Sequence, residues 1–279
     1  MKKRILSLYL FLATVSALLF SGCNTNDDGH TPVEGKPRFL VDKIYNYDHE
    51  LMADYFYNSN DQLIKRSTYD PLNYPGIKIM DYELEYENNK IALIKNINYT
   101  HPQFSHDIKI IYDAQGRIIA DETYQYGNRI SKRNYQYYTN GKVKSIVTSN
   151  DIENYFMDYQ NTENVMEVKL LLEQSDGIAL KTNTEYREVY RNFVYDNNPK
   201  PYFGTANVFQ FEPMPGYGDE AMLEKNLSKN NLIEFVNGTK WIHTYNENGY
   251  PATIEVKWKD IEFEKPLMYR ITYREITTD

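Results

Sequence analysis

Cysteine is nearly absent: Cys23 is the only one in 279 residues. No disulfide can form within one chain, and no cysteine cluster can hold zinc or an iron–sulfur centre. Histidine is scarce too, with His30, His49, His101, His106 and His243 scattered over linker, turns and a strand. His101, His106 and Asp107 make the one near group, and it reads as a solvated turn ahead of a strand. The zinc-hydrolase helix, the phosphate-cradling glycine loop and the serine elbow of hydrolases are all missing. Carboxylate pairs do occur, such as Glu83 with Glu85 and Glu262 with Glu264. An acidic protein places such pairs on one charged sheet face without any catalytic purpose. These absences point away from an enzyme, a metal or a cofactor, and leave an envelope hydrolase of unknown class as the catalytic alternative.

Positive charge is also in deficit, with 31 Lys and Arg against 39 Asp and Glu. Three of those cations, Lys2, Lys3 and Arg4, precede an apolar run from Ile5 to Phe20 that is broken only by Ser7, Thr14 and Ser16. The run falls short of the roughly 20 residues that span a bilayer, and it stands where an export signal stands. Phe20-Ser21-Gly22-Cys23 then resembles the bacterial lipobox, with Phe20 where leucine is commoner. Small residues at 21 and 22 admit a peptidase, and the Cys23 thiol can take a diacylglyceryl group. The resemblance implies loss of residues 1–22 and attachment to a membrane through two acyl chains, which anchor stably where one is marginal. Cleavage removes three cations and no anion, so 31 less three leaves 28 against 39, a formal −11. No basic stripe offsets this, which makes nucleic acid and anionic headgroups poor partners.

Residues 24–38 are polar and interrupted by Gly and Pro, and read as a flexible tether. Asp27 and Asp28 loosely resemble the acidic signal that follows the lipidated cysteine of surface lipoproteins in Bacteroides-like cells. The expected organisation is a signal peptide over 1–22, a tether over 23–38 and a β-repeat domain over 39–279. The expected location is the cell outer membrane, surface-exposed or facing the periplasm.

From Phe39 onward the apolar pattern has a period of two, the signature of strands. Tyr82, Leu84 and Tyr86 alternate with Glu83 and Glu85; Ile254, Val256 and Trp258 with Glu255 and Lys257; Tyr269, Ile271 and Tyr273 with Arg270 and Thr272. One apolar and one charged face is the pattern of antiparallel sheets. Turn residues recur at Asn60-Asp61, Asn88-Asn89, Gln115-Gly116, Gly127-Asn128, Asn140-Gly141 and Asn248-Gly249. With further turns at 71–76 and 101–106, the spacing predicts a strand and a turn about every 13 residues. The fold class is therefore all-β: an extended, twisted antiparallel meander of repeated hairpins, curled into an open barrel or a sandwich-like shape. Pro199, Pro201, Pro213 and Pro215 predict a long irregular connection near residues 196–231, with two or three helical turns over Asp219–Lys229.

Tyr112-Asp113-Ala114-Gln115-Gly116-Arg117-Ile118 resembles one unit of the tyrosine–aspartate repeats of large bacterial shell and wall-associated proteins. Tyr57 to Leu63, Tyr138 to Val143 and Tyr245 to Tyr250 are degenerate relatives. Together with the lipobox, the 195–202 and 227–231 segments resemble an uncharacterised family of Bacteroides-type lipoproteins. That resemblance implies a β-rich surface or periplasmic lipoprotein and implies no activity.

Tyrosine is the one marked excess, at 27 residues. Strand propensity and cross-strand packing account for much of it. The functional alternative is a surface of exposed rings for glycans or an envelope protein partner. Trp241, His243 and Tyr245 share one face of a strand, and Trp258 follows across the next hairpin. These four are the candidate glycan or partner surface, provided that the tryptophans face outward.

Overall fold

A computed structural model describes residues 38–70, 75–148, 154–171, 188–201, 227–235, 237–259 and 265–276. Among them are seventeen strands in one sheet. The first nine are β1 (Arg38–Tyr45), β2 (Leu51–Tyr57), β3 (Leu63–Asp70), β4 (Ile77–Glu87), β5 (Lys90–Asn98), β6 (His106–Tyr112), β7 (Ile118–Gln125), β8 (Asn128–Tyr137) and β9 (Val143–Thr148). The remainder are β10 (Asn154–Asp158), β11 (Glu167–Leu171), β12 (Glu188–Arg191), β13 (Val194–Pro199), β14 (Asn230–Glu234), β15 (Lys240–Tyr245), β16 (Pro251–Lys257) and β17 (Leu267–Ile276).

Every strand from β1 to β12 pairs antiparallel with its sequence neighbour. The same holds from β13 to β17, and β17 returns to pair with β1. The sheet is thus an up-and-down meander that is not fully closed into a barrel. Its seam lies between β12 and β13, where Asn192, at φ 63°, and Phe193 divert the chain. There β12 ladders to β11 and β13 to β14, with no ladder joining the two among the described residues. Other bonds cross near the seam: Val165 N–H donates to Ser228 Oγ (2.8 Å), and Asn230 N–H donates to Asn164 Oδ1 (2.9 Å).

Prolines do not keep regular structure out of the whole 196–231 stretch, as the sequence suggests. β13 runs through Asp196 to Pro199, and β14 begins at Asn230. Pro199 is accommodated as the last residue of its strand, beyond a register shift, where the ladder asks for no further N–H. Residues 202–226, and with them most of the helical turns expected over 219–229, lie outside the described residues.

The period-two pattern sorts side chains to an apolar interior and a charged exterior. Inside, one continuous cluster joins residues from across the meander, including Leu63, Leu84, Ile94, Ile146, Val168, Trp241 and Tyr269. Outside, ions pair across strands, Lys65 with Glu83 (3.0 Å) and Glu122 with Arg129 (3.0 Å) and Lys132 (3.3 Å), and along β16, Lys257 with Glu255 (3.3 Å).

The tyrosines explain how the hairpins are joined. Tyr57, Tyr86, Tyr112 and Tyr137 stand at or next to the ends of β2, β4, β6 and β8, on one rim of the sheet. At this rim the ladder between β3 and β4 ends at Lys65–Glu83, and that between β5 and β6 ends at Leu93–Lys109. Beyond those points the two strands no longer ladder to each other, and a buried carbonyl left unpaired in such a gap is costly. Each tyrosine hydroxyl supplies the missing donor: Tyr57 to Val41 O (2.7 Å), Tyr86 to Leu63 O (2.8 Å), Tyr112 to Ile91 O (2.9 Å) and Tyr137 to Ile118 O (2.6 Å). Tyr195 and Tyr273 do the same for Val165 (2.6 Å) and Pro251 (2.7 Å). The basic residue of one turn then covers the next tyrosine, as Lys90 does Tyr112 (5.2 Å to the ring centre) and Arg117 does Tyr137 (4.9 Å).

Turn geometry accounts for the rest of the motif. Asp113 N–H donates to Arg117 O, Gly116 N–H to Asp113 O, and Arg117 N–H to Asp113 Oδ1. Gly116 takes φ +84°, the left-handed region where glycine is unstrained. The same backbone bonds at Tyr138 and Gly141 make Tyr138 the counterpart of Asp113. That shifts the alignment read from the sequence by one residue: Tyr137, not Tyr138, is the repeat tyrosine, because its hydroxyl makes the repeat bond and it lies six residues before Val143.

Candidate functional site

β15 places Trp241, His243 and Tyr245 on its inward face and exposes Ile242. Trp241 is 5% exposed and meets Phe235 edge-on, with ring centres 6.4 Å apart. His243 stacks on Tyr245 at 6.0 Å. Trp258, half-buried, packs against the same core. The four residues singled out in the sequence therefore line the interior side of β15 and β16, and Trp241 is held as a core side chain. Cys23 lies outside the described residues.

Tyr245 leads to a polar knot beside the seam. Its hydroxyl donates to Asp196 Oδ2, which also accepts from Asn231 Nδ2 (3.0 Å); Asp196 Oδ1 accepts the backbone N–H groups of Asn198 and Asn231 (both 3.1 Å). Burial, followed by the Asp196 carboxylate, pushes the Tyr245 hydroxyl up to about 12. It is neutral at physiological pH and acts as a donor.

Charge enters the interior in the half of the sheet away from the tyrosine rim. Asp121, 1% exposed, receives Arg133 Nε at 3.0 Å on both oxygens and the Tyr135 hydroxyl at 2.5 Å. Burial raises the Tyr135 pKa strongly, so that hydroxyl remains a donor to the carboxylate.

Arg66 enters the same interior from β3 and is 7% exposed. In register it lies opposite Tyr55 on one side and Tyr82 on the other, and Tyr82 in turn pairs with Asn96. The guanidinium sits 6.0 Å from the Tyr55 ring centre and 5.6 Å from that of Tyr82. Among the described residues, no carboxylate pairs with it and its buried Nε has no acceptor. Two neighbouring polar atoms are in the same condition, Thr68 Oγ1 and Asn96 Oδ1, while Asn96 Nδ2 rests on Met80 Sδ (3.4 Å). Sequence reasoning missed this group. The available signal was a charged residue at the inward position of β3, flanked by the outward Lys65 and Ser67.

On the outer face, Asp81 is fully covered yet fully served. Ser67 Oγ (2.7 Å), Tyr99 Oη (2.7 Å), Lys65 Nζ (2.7 Å) and Lys78 Nζ (3.3 Å) surround it. Burial pushes its pKa up, but the bonds from Lys65, Ser67, Tyr99 and Lys78 outweigh that and bring it to about 2. No group of three or more His, Cys, Asp or Glu side chains among the described residues is arranged to hold a metal ion.

Against solved structures, the chain is similar to a porin-like protein from Bacteroides uniformis. The identity is 12% and the TM-score 0.51, over 85% of this chain and 98% of that one. That likeness shows the fold alone. A porin-like protein from Bacteroides vulgatus is 10% identical with a TM-score of 0.35, over 84% of this chain and 99% of that one. The Tc holotoxin pore of Photorhabdus luminescens is 11% identical with a TM-score of 0.31, over 80% of this chain and 12% of that one. Neither of these two carries further argument. No family model matches the sequence, and no curated protein matches it.

Proposed function

We propose that this chain is a non-catalytic envelope lipoprotein, held on the outer membrane by acyl chains on Cys23, whose β-meander is a scaffold for binding or structure. The observation that carries this reading is the division of the sheet into an apolar interior and an exterior of paired ions. A barrel crossing a bilayer needs the reverse, an outward apolar band roughly 25 Å tall. Lys65, Glu83, Glu122, Arg129 and Lys132 stand on the outer face where such a band would run. Attachment through the N-terminal lipid reconciles that wet exterior with an outer-membrane location, which the likeness to the porin-like Bacteroides uniformis protein supports. The tyrosine–aspartate likeness fits the same reading, because its residues are accounted for as turn, wedge and cover.

Fractionation of cells expressing Cys23→Ser tests the anchor. The variant is expected in the soluble envelope or medium fraction while the parent stays with the membrane. Retention of the variant in the membrane, or steady channel conductance of the purified protein in a planar bilayer, would favour a spanning barrel.

Glycan or protein recognition by aromatic rings is the second reading, and a specific observation supports it. Tyr126 (76% exposed), Phe104 (59%) and Tyr99 (48%) cluster on the rim opposite the tyrosine ladder. Gln125 Nε2 and the Tyr126 hydroxyl both donate to Gln103 O there, at 2.6 and 3.4 Å. Three exposed rings on one rim support the reading of a recognition surface there.

A further inference from the structure

Arg66 carries a charge into the sheet interior with no carboxylate paired to it among the described residues and no acceptor for its buried Nε. Burying a guanidinium removes its hydration, and proteins normally offset that loss with a carboxylate, a carbonyl or several hydrogen bonds. Arg133, on the same interior face, is treated in that way by Asp121. Arg66 has two tyrosine rings beside it and, among the described residues, no carboxylate paired with it and no acceptor for its buried Nε. The rings contribute cation–π attraction, but they accept none of its in-plane N–H groups.

Two further atoms make this a site instead of a single anomaly. Thr68 follows Arg66 by two residues on β3, so it shares the inward face. Asn96 is linked to Arg66 through Tyr82 in the cross-strand register. Thr68 Oγ1 and Asn96 Oδ1 are both buried without a hydrogen-bond partner. The group therefore offers a planar fork of donors, an acceptor that lacks a donor, and a hydroxyl able to do either. Tyr55, Tyr82 and Met80 supply apolar walls beside it.

We infer that Arg66, Thr68 and Asn96 form a binding site for a small carboxylate bearing a hydroxyl next to it, as in a sugar acid or a hydroxy acid. The carboxylate takes the guanidinium fork, its two oxygens accepting two parallel N–H groups in one plane. The adjacent hydroxyl donates to Asn96 Oδ1, which a bare carboxylate cannot satisfy. A tyrosine face accepts the apolar side of the ligand. No bond is made or broken, so the site is a receptor site. It concerns the binding role proposed above but does not depend on the lipid: fractionation of Cys23→Ser and occupancy of this site succeed or fail separately.

Calorimetric titration of the full chain in detergent, with acetate, glycolate, D-galactonate and D-galactose as probes, tests the inference. Glycolate and D-galactonate are expected to bind more tightly than acetate, and D-galactose, which lacks the carboxylate, not at all. Tighter binding of D-galactonate than glycolate assigns the site to sugar acids, and the reverse order to smaller hydroxy acids. Arg66→Met is expected to weaken binding about tenfold or more. It is also expected to raise the melting temperature of the unliganded protein by about 3 °C, because it removes a buried charge that nothing pairs. Should Arg66→Met not fold, Asn96→Leu serves instead, and is expected to abolish the preference for glycolate over acetate while leaving acetate affinity unchanged. Equal binding by parent and variants, or no binding of either hydroxylated acid by the parent, overturns the site.

Discussion

At the tyrosine rim, Tyr86, Tyr112 and Tyr137 each join two splayed strands with one neutral hydrogen bond. In the other half of the same interior, the buried Asp121 meets Arg133, whose side chain is 33% exposed. The two halves use their polar groups differently. A hydroxyl on a carbonyl is a modest bond that a repeat can use over and over, since losing one leaves its neighbours intact. An ion pair with a buried member contributes little net stability when whole but is costly when broken, because the buried groups that relied on it lose their partner. Repetition therefore belongs to the tyrosine half, and single-residue vulnerability to the charged half.

Substitutions should separate the halves in that order. Asp121→Ala removes the acceptor of the buried Tyr135 hydroxyl and one partner of Arg133, and is expected to cost about 3 kcal/mol in urea unfolding. Replacing both partners, Asp121→Leu with Arg133→Met, should recover most of that loss. If the single and double variants unfold alike, the ion pair is not what distinguishes this half.

Asp81 extends the contrast to the outer face through pH. Its folded pKa of about 2 lies below the unfolded value near 3.8. The unfolded chain therefore binds the proton first on acidification. The stabilisation is full above about pH 4, is lost as pH falls through about 2, and amounts to about 2 kcal/mol. Asp81→Asn should narrow its stability gap to the parent over that window. A gap independent of pH between 5 and 2 would show that the carboxylate is not held in its charged form.

At the tyrosine rim the expected effects are smaller. Tyr112→Phe removes the bond to Ile91 O and is expected to cost about 1 kcal/mol. Tyr86→Phe with Tyr137→Phe should cost the sum of the two single losses within about 0.5 kcal/mol, since each tyrosine serves a different hairpin pair. A large shortfall or excess would make the rim a cooperative network. The smallest effects concern the turn glycines. Gly141→Ala, with open space around a φ of +85°, should lose about 1 kcal/mol or less through backbone strain alone. Gly116→Ala must in addition displace the Lys90 ammonium, so it should lose slightly more. Both are measured as shifts in denaturation midpoint.

Much of this organisation is legible in the residues alone. Alternation at 82–86, 254–258 and 269–273 specifies which side chains share a face, because strand geometry has a period of two and needs no tertiary information. Asp61, Gly116, Gly141 and Gly249 specify the turns for an equally local reason, their tolerance of positive φ. The tyrosine excess is visible as a count, but its purpose is not. The bond from Tyr112 to Ile91 joins residues 21 apart, and the ladder's early end at Leu93–Lys109 makes it necessary.

Sequence places Trp241, His243 and Tyr245 on one face without saying which face is dry. Only the sheet's curl, which brings the apolar faces of its strands into a single cluster, turns Trp241 inward. The same holds for the arginines. Nothing in the local sequence distinguishes Arg66 from Arg133, since both are cations at inward strand positions. Register alone sets Asp121 opposite Arg133 and Tyr82 opposite Arg66, and so decides which charge is paired within the protein and which is left to a ligand. Local geometry could dictate strands, turns and faces because each depends on a few consecutive residues. The pairing of buried charges depends on residues that meet only once the meander has folded.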